Sequence, residues 1–215
     1  MVIWLFFFGI RMYYNYLDKI YKSNSYTTSK ELYQKWAPSY DNELTENQYV
    51  TPLRCAQILS YYIKNRNIKI LDIGCGTGLA GFELKKIGFK SIDGLDLSEE
   101  MLKFAEQKKI YQSLFNFDLN NPTDFNDKYD AIIAVGVISP THANPDTLLS
   151  SYSILKKKGL MIFSINDHAL NDSPFFNSIN KTIQSSNFIL LDQIYGDHIK
   201  ELNLKSSIFV LQKSN

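Results

Sequence analysis

The chain has 215 residues, 45% hydrophobic and 21% charged, with 23 basic against 22 acidic side chains. That balance suits one compact domain with a sizeable core and gives no reason to expect a charged nucleic-acid surface. Two cysteines, Cys55 and Cys75, are too few for a disulfide framework or a zinc cluster, so a reducing, cytoplasmic setting is expected.

The opening residues are out of character with the rest. Their apolar run, 2–10, is too short to span a bilayer, no basic residue precedes it, and no small-residue cleavage site follows. A hydrophobic packing or membrane-surface tail, a disordered extension, and a segment upstream of a native start at Met12 all compete; the abrupt change in composition favours the last. Residues 1–30 are read as an N-terminal extension, Tyr-, Asn- and Ser-rich after Arg11, with a helical turn around 13–21. Residues 31–215 are read as a single domain. Leu32, Tyr33 and Trp36 share one face of a short helix that ends near Pro38.

Thr51 is a plausible N-cap and Pro52 fits the first position of a helix whose apolar face runs to about Lys64. The run 69–73, apolar and β-branched, reads as a buried strand that stops in a glycine cluster. A helix follows over 79–87, closed by Gly88. Residues 91–96 form a second strand ending on an acid. Ser98 caps a helix that carries Glu99 and Glu100 in its first turn and runs to about Tyr111. A short third strand begins at Leu114 and meets an acid at Asp118. The nearly all-apolar run 129–135 is expected of a central parallel strand. Residues 136–145 form a loop, 146–155 a helix with Lys156 to Gly159 as its C-terminal signal, and 160–165 a fifth strand. A helix over 174–184 and strands at 188–195 and 206–212 complete the chain, with Asn203 and Lys205 in the connecting turn. Strands alternating with helices, then two strands without one, predict a mostly parallel sheet finished by an antiparallel hairpin.

The glycine cluster organises the chemistry. Read literally, Gly76-Thr77-Gly78-Leu79-Ala80-Gly81 satisfies G-x-G-x-x-G with Asp96 about 20 residues further on, which points to a dinucleotide such as NAD. The turn, however, begins earlier, at Gly74, directly after the acid Asp72. A carboxylate there suits a cationic ligand better than a pyrophosphate. Asp96, at the carboxyl end of a strand, is placed to accept two ribose hydroxyls, and Asp118 to accept from an adenine amino group.

Leu71-Asp72-Ile73-Gly74-Cys75-Gly76-Thr77-Gly78, with Asp96-Leu97-Ser98 and Asp118-Leu119 behind it, resembles the class I S-adenosylmethionine-dependent methyltransferases over about residues 31–212. A closer likeness, to the methyltransferase-like protein subgroup of the Williams–Beuren syndrome chromosome region, is carried by Tyr33 to Asp41 and by Gly136 to Ala143. The resemblance implies an α/β, Rossmann-like class I methyltransferase fold: a mostly parallel seven-stranded sheet with a C-terminal antiparallel hairpin and helices on both faces. It implies S-adenosyl-L-methionine as cofactor. Gly74, Cys75, Gly76 and Gly78 would pass close to its methionine part beside Asp72, with Val135 nearby. Asp96 would hold the ribose, Leu97 would pack on adenine, and Asp118 with Leu119 would frame the adenine edge. Tyr33, Trp36 and Tyr40 would close the site from the N-terminal side.

The implied reaction is methyl transfer to an acceptor, releasing S-adenosylhomocysteine. His142, in the loop after the central strand, is the candidate catalytic or substrate-positioning group, with Asp167 and His168 after the fifth strand. No Asn/Asp-Pro-Pro-Tyr segment of nitrogen methylation follows Val135, and the connection 166–175 is short. A small-molecule acceptor is therefore favoured, a protein acceptor stays open, and no nucleic acid, metal or membrane span is expected. An NAD-dependent oxidoreductase and a non-catalytic S-adenosylmethionine-binding protein are the alternatives.

Overall fold

Strands form where apolar residues alternate between two buried faces, and helices where they recur every three to four residues. The computed structural model describes residues 16–21, 26–117 and 128–214. Asp118 and Leu119, and the expectations for residues 1–11, lie outside that range. In chain order the helices are α1 (Tyr16–Tyr21), α2 (Tyr26–Trp36), α3 (Tyr40–Glu46) and α4 (Thr51–Tyr62). Then follow β1 (Lys69–Ile73), α5 (Leu79–Ile87), β2 (Ser91–Asp96), α6 (Glu99–Gln107), β3 (Leu114–Asn116) and β4 (Tyr129–Ala134). The last elements are α7 (Asp146–Ile154), β5 (Leu155–Asn166), α8 (Asp167–Asn171), α9 (Ser173–Ser185), β6 (Phe188–Ile199) and β7 (Leu204–Lys213).

The strands form one seven-stranded sheet in the order β3-β2-β1-β4-β5-β7-β6. The first five are parallel, and β7 runs antiparallel to both β5 and β6. The Rossmann-like fold with its antiparallel hairpin is thus present. The strand order reverses between β1 and β4, the switch point above which ligands bind in open α/β sheets.

Alternation along the strands builds two cores. Leu71, Ile132, Phe163 and Phe209 face the layer of α7 to α9, and the Phe163 and Phe209 rings stack with centroids 5.0 Å apart. Ile70, Ile133, Ile162 and Val210 face the α4 and α5 layer, against Cys55, Leu59 and Leu84. Each such fully buried side chain contributes about 1.5–3 kcal/mol of transfer free energy. A third cluster joins Leu17, Ile20, Trp36 and Leu44 of the N-terminal helices to Ile199 and Leu204 at the hairpin end. These helices form a cap over one end of the sheet. Among the described residues, no helix is long and apolar enough to cross a membrane.

Local expectations fail where a distant partner competes. Thr51 is the first helical residue rather than the cap, because its hydroxyl meets His198 Nδ1 at 2.7 Å. The α6 helix stops at Gln107, not Tyr111; Lys109 turns the chain at φ 52° and frees Tyr111 to fold back on the glycine turn. Lys156 to Lys158 do not close a helix. They open β5, where Lys156 pairs with Asp130 at 2.8 Å. Lys205 belongs to β7 opposite Asp197, and the turn is made by a 3-10 segment, Lys200–Leu202, with Asn203 left-handed. The short α8 was not anticipated in the connection after β5; Asn166 caps it by accepting from the Ala169 N–H.

Candidate cofactor and acceptor site

The turn after β1 has three left-handed glycines, Gly74, Gly76 and Gly78. At Gly76 the left-handed φ of 54° combines with open space where a side chain would stand, so a ligand can approach the backbone closely. The turn is held from β2. The Asp96 carboxylate accepts from the Gly76 N–H with Oδ2 and from the Ser98 N–H with Oδ1, each at 2.8 Å. Burial pushes the Asp96 carboxyl up, and the N–H bonds of Ser98, Gly76 and Leu97 oppose that rise. These bonds still leave a lone pair on this carboxylate for a further hydroxyl donor.

Asp72 lies beneath the same turn on the apolar α4 and α5 face, 1% exposed. Tyr111 Oη donates to its Oδ2 at 2.7 Å, while Oδ1 has no partner. Burial pushes this carboxyl up to about 7, against the pull of the Tyr111 hydroxyl and the Gly81 N–H. Gly81, the last glycine of the literal dinucleotide pattern, is a packing residue: an added Cβ would stand 2.4 Å from Tyr111 Oη. Cys75 is buried beside both acids, and its thiol is pushed up by burial.

The cap is tied to this turn through Asp41 of α3. Thr77 Oγ1 donates to Asp41 Oδ1 at 2.5 Å, and Lys108 Nζ lies 2.5 Å from Asp41 Oδ2 and 2.6 Å from the Thr77 carbonyl oxygen. Three segments distant in sequence thereby meet at one residue of the glycine turn.

Across the switch point, over the ends of β4 and β5, lies a cavity of about 390 Å³. Tyr33, Trp36 and Tyr40 form one wall of it, with Trp36 stacked on Tyr33 at 5.7 Å and edge-on to Tyr40 at 4.6 Å. The loop from Gly136 to His142 also lines it. His142 is held at both nitrogens: Nδ1 lies 2.5 Å from Ser139 Oγ and 3.2 Å from Thr141 Oγ1, and Nε2 lies 3.0 Å from Tyr33 Oη. Burial pulls the His142 imidazole down to about 4, so it is neutral at physiological pH. His198, beside Thr51 and edge-on to Tyr49, is pulled down to about 3 chiefly by burial, then by Arg54.

Asp72, Gly74, Cys75, Gly76, Gly78 and Asp96 therefore meet at the ends of β1 and β2, whereas Tyr33, Trp36, Tyr40 and His142 meet over β4 and β5. Leu97 is half-buried just after β2, its carbonyl accepting from Asn116 Nδ2 at 2.9 Å. Val135 packs against the α4 and α5 core. Asp41, Tyr111, Ser139 and His198 were missed as site-building residues. Asp41 and Ser139 stand inside the two segments that carry the family resemblance; Tyr111 and His198 give no local signal.

Residues 48–206 match the model of a family described as a methyltransferase domain. The chain is 29% identical over 144 residues to human Methyltransferase-like protein 27, covering 65% of this chain and 58% of that protein. It is 30% identical over 142 residues to YqeM of Bacillus subtilis, covering 63% and 56%. The chain thus spans a little over half the length of these two relatives. In fold it is similar to magnesium protoporphyrin IX methyltransferase from Synechocystis, solved with S-adenosylmethionine bound. The TM-score is 0.56 at 17% identity, covering 95% of this chain and 92% of that one.

The residues fit S-adenosylmethionine as cofactor. Asp96 has acceptor capacity for ribose hydroxyls, Gly76 leaves open space at the backbone, and Asp72, whose carboxyl gives up its proton near pH 7, then adds negative charge beneath the turn that suits a cationic ligand. The same two carboxylates would repel a pyrophosphate.

Proposed function

The chain belongs to the methyltransferase-domain family, and we propose that it transfers the methyl group of S-adenosylmethionine to a small-molecule acceptor, releasing S-adenosylhomocysteine. The observation that carries this reading is the adjacency of two unlike half-sites across the β1 and β4 switch point: a carboxylate-braced glycine turn and an open, aromatic-walled cavity. The cofactor supplies an activated methyl group on a sulfonium leaving group. The chain's own residues would bind the nucleoside through Asp96, hold the acceptor in the cavity, and keep water out beneath the aromatic wall. His142 is the residue assigned to the acceptor side.

The closer likeness to the Williams–Beuren region subgroup is supported by the placement of both segments that carry it, since residues of Tyr33 to Tyr40 and of Gly136 to His142 line one cavity and meet at the Tyr33 to His142 bond. A cytoplasmic setting fits two free, buried thiols. Calorimetric titration with S-adenosylmethionine, S-adenosylhomocysteine and NADH tests the reading. Binding of the first two without the third is expected; binding of NADH alone would replace this reading with that of an oxidoreductase.

A further inference from the structure

The cavity restricts the acceptor by charge. Among the described residues its lining holds no lysine or arginine, and its one carboxylate, Asp172, is engaged in capping α9 through the Phe175 N–H at 3.1 Å. Apart from His168 the lining offers an anionic acceptor no cation, since burial holds His142 and His198 neutral, so its charge would be poorly compensated there. An ammonium would lack a dedicated carboxylate. What the lining does offer is aromatic faces and a chain of groups that both give and take protons: Ser139 Oγ, the His142 ring and Tyr33 Oη, joined through the two ring nitrogens. Such a chain pairs with a neutral hydroxyl and can receive its proton.

We propose that the acceptor is an uncharged, ring-bearing molecule methylated on a hydroxyl oxygen, and that Tyr33 and His142 receive the hydroxyl proton. This rests on the methyltransferase reading. In the step, the acceptor oxygen forms a bond to the methyl carbon as the carbon–sulfur bond breaks and leaves its electron pair on sulfur. The hydroxyl proton passes to Tyr33 Oη as the Tyr33 proton passes to His142 Nε2. One positive charge is lost from sulfur and one appears on the imidazole, so charge balances. The burial that keeps His142 neutral then drives release of that proton to solvent.

Three para-substituted toluenes test the proposal on the protein saturated with S-adenosylhomocysteine: p-cresol (neutral), p-toluate (anionic) and 4-methylbenzylamine (cationic), titrated by NMR. We expect p-cresol to bind at least about tenfold tighter than either charged probe, and Tyr33→Phe to erase that preference without moving the thermal midpoint. With methyl-labelled S-adenosylmethionine, labelled 4-methylanisole should form, and at least about tenfold more slowly in His142→Gln. Equal or tighter binding of a charged probe, no binding of p-cresol, a preference that survives Tyr33→Phe, binding without methylation, or a His142→Gln rate within about twofold of the original would each overturn it. If S-adenosylhomocysteine itself fails to bind, the methyltransferase reading falls, and the charge preference is still read by titrating the unliganded protein.

Discussion

The glycine turn and the cavity solve the problem of binding in opposite ways. Over β1 and β2 the ligand would meet main chain, left-handed glycines and buried carboxylates, with Asp72 and Asp96 held among apolar side chains. Over β4 and β5 it would meet side chains, mostly neutral and including four Tyr or Trp rings, supplied by segments from α1 to β6. The first half recognises a shape common to every turnover and tolerates little change. The second is assembled from pieces that can vary independently, which is why it restricts the acceptor by charge and hydrogen bonding. Asp41 is the joint between them, because α3 carries both the Thr77 contact and Tyr40 of the cavity wall.

The largest effect expected to separate the halves is the pH response of Asp72. Its folded carboxyl titrates near 7, against an ordinary value of 3.8. The folded state therefore holds a proton that the unfolded state releases. The stability from this group is complete below about pH 4 and is lost as pH rises toward 7, a change of a few kcal/mol at about 1.4 kcal/mol per pH unit. Urea denaturation from pH 4 to 8 should show that decline, and Asp72→Asn should flatten it. Affinity for cationic S-adenosylmethionine should rise across the upper part of the same window as the carboxylate ionises, whereas p-cresol binding in the cavity should not follow it.

Gly81→Ala comes next. Its new methyl group would press on Tyr111 Oη, disturbing the hydroxyl that bonds Asp72. Overpacking of this kind costs about 1–3 kcal/mol, read as a lower urea midpoint. The smallest effect is expected of Asp41→Asn, which weakens a partly exposed ion pair with Lys108. At about 1 kcal/mol or less, it should lower S-adenosylhomocysteine affinity by up to about fivefold and loosen p-cresol as well. An effect confined to one ligand would show that the two halves are not joined there.

The same contrast governs how much can be read without coordinates. The glycine turn, Asp96 and the Ser98 cap are legible because each is a local signal: a strand end, a short-range turn and a hydroxyl three residues before the N–H it accepts. The mostly parallel sheet with its terminal hairpin follows from the alternation of elements. Tyr111 and Asp41 are hidden because their bonds to Asp72 and Thr77 close loops of 39 and 36 residues. The Tyr33 to His142 bond spans 109 residues, so the cavity has no contiguous motif. Thr51 misleads for the same reason, its hydroxyl drawn from capping by His198, 147 residues away. Side-chain hydroxyls with a distant buried partner are where local rules fail.

The central claim is that Asp96 braces the turn and binds the ribose of S-adenosylmethionine. Its most direct test is calorimetric titration of S-adenosylhomocysteine into the wild-type protein and Asp96→Ala. A charge-assisted hydrogen bond is worth roughly 1.5–3 kcal/mol, so an affinity lower by about 10- to 100-fold is predicted, with the circular-dichroism spectrum retained. An affinity unchanged by the substitution would contradict the account.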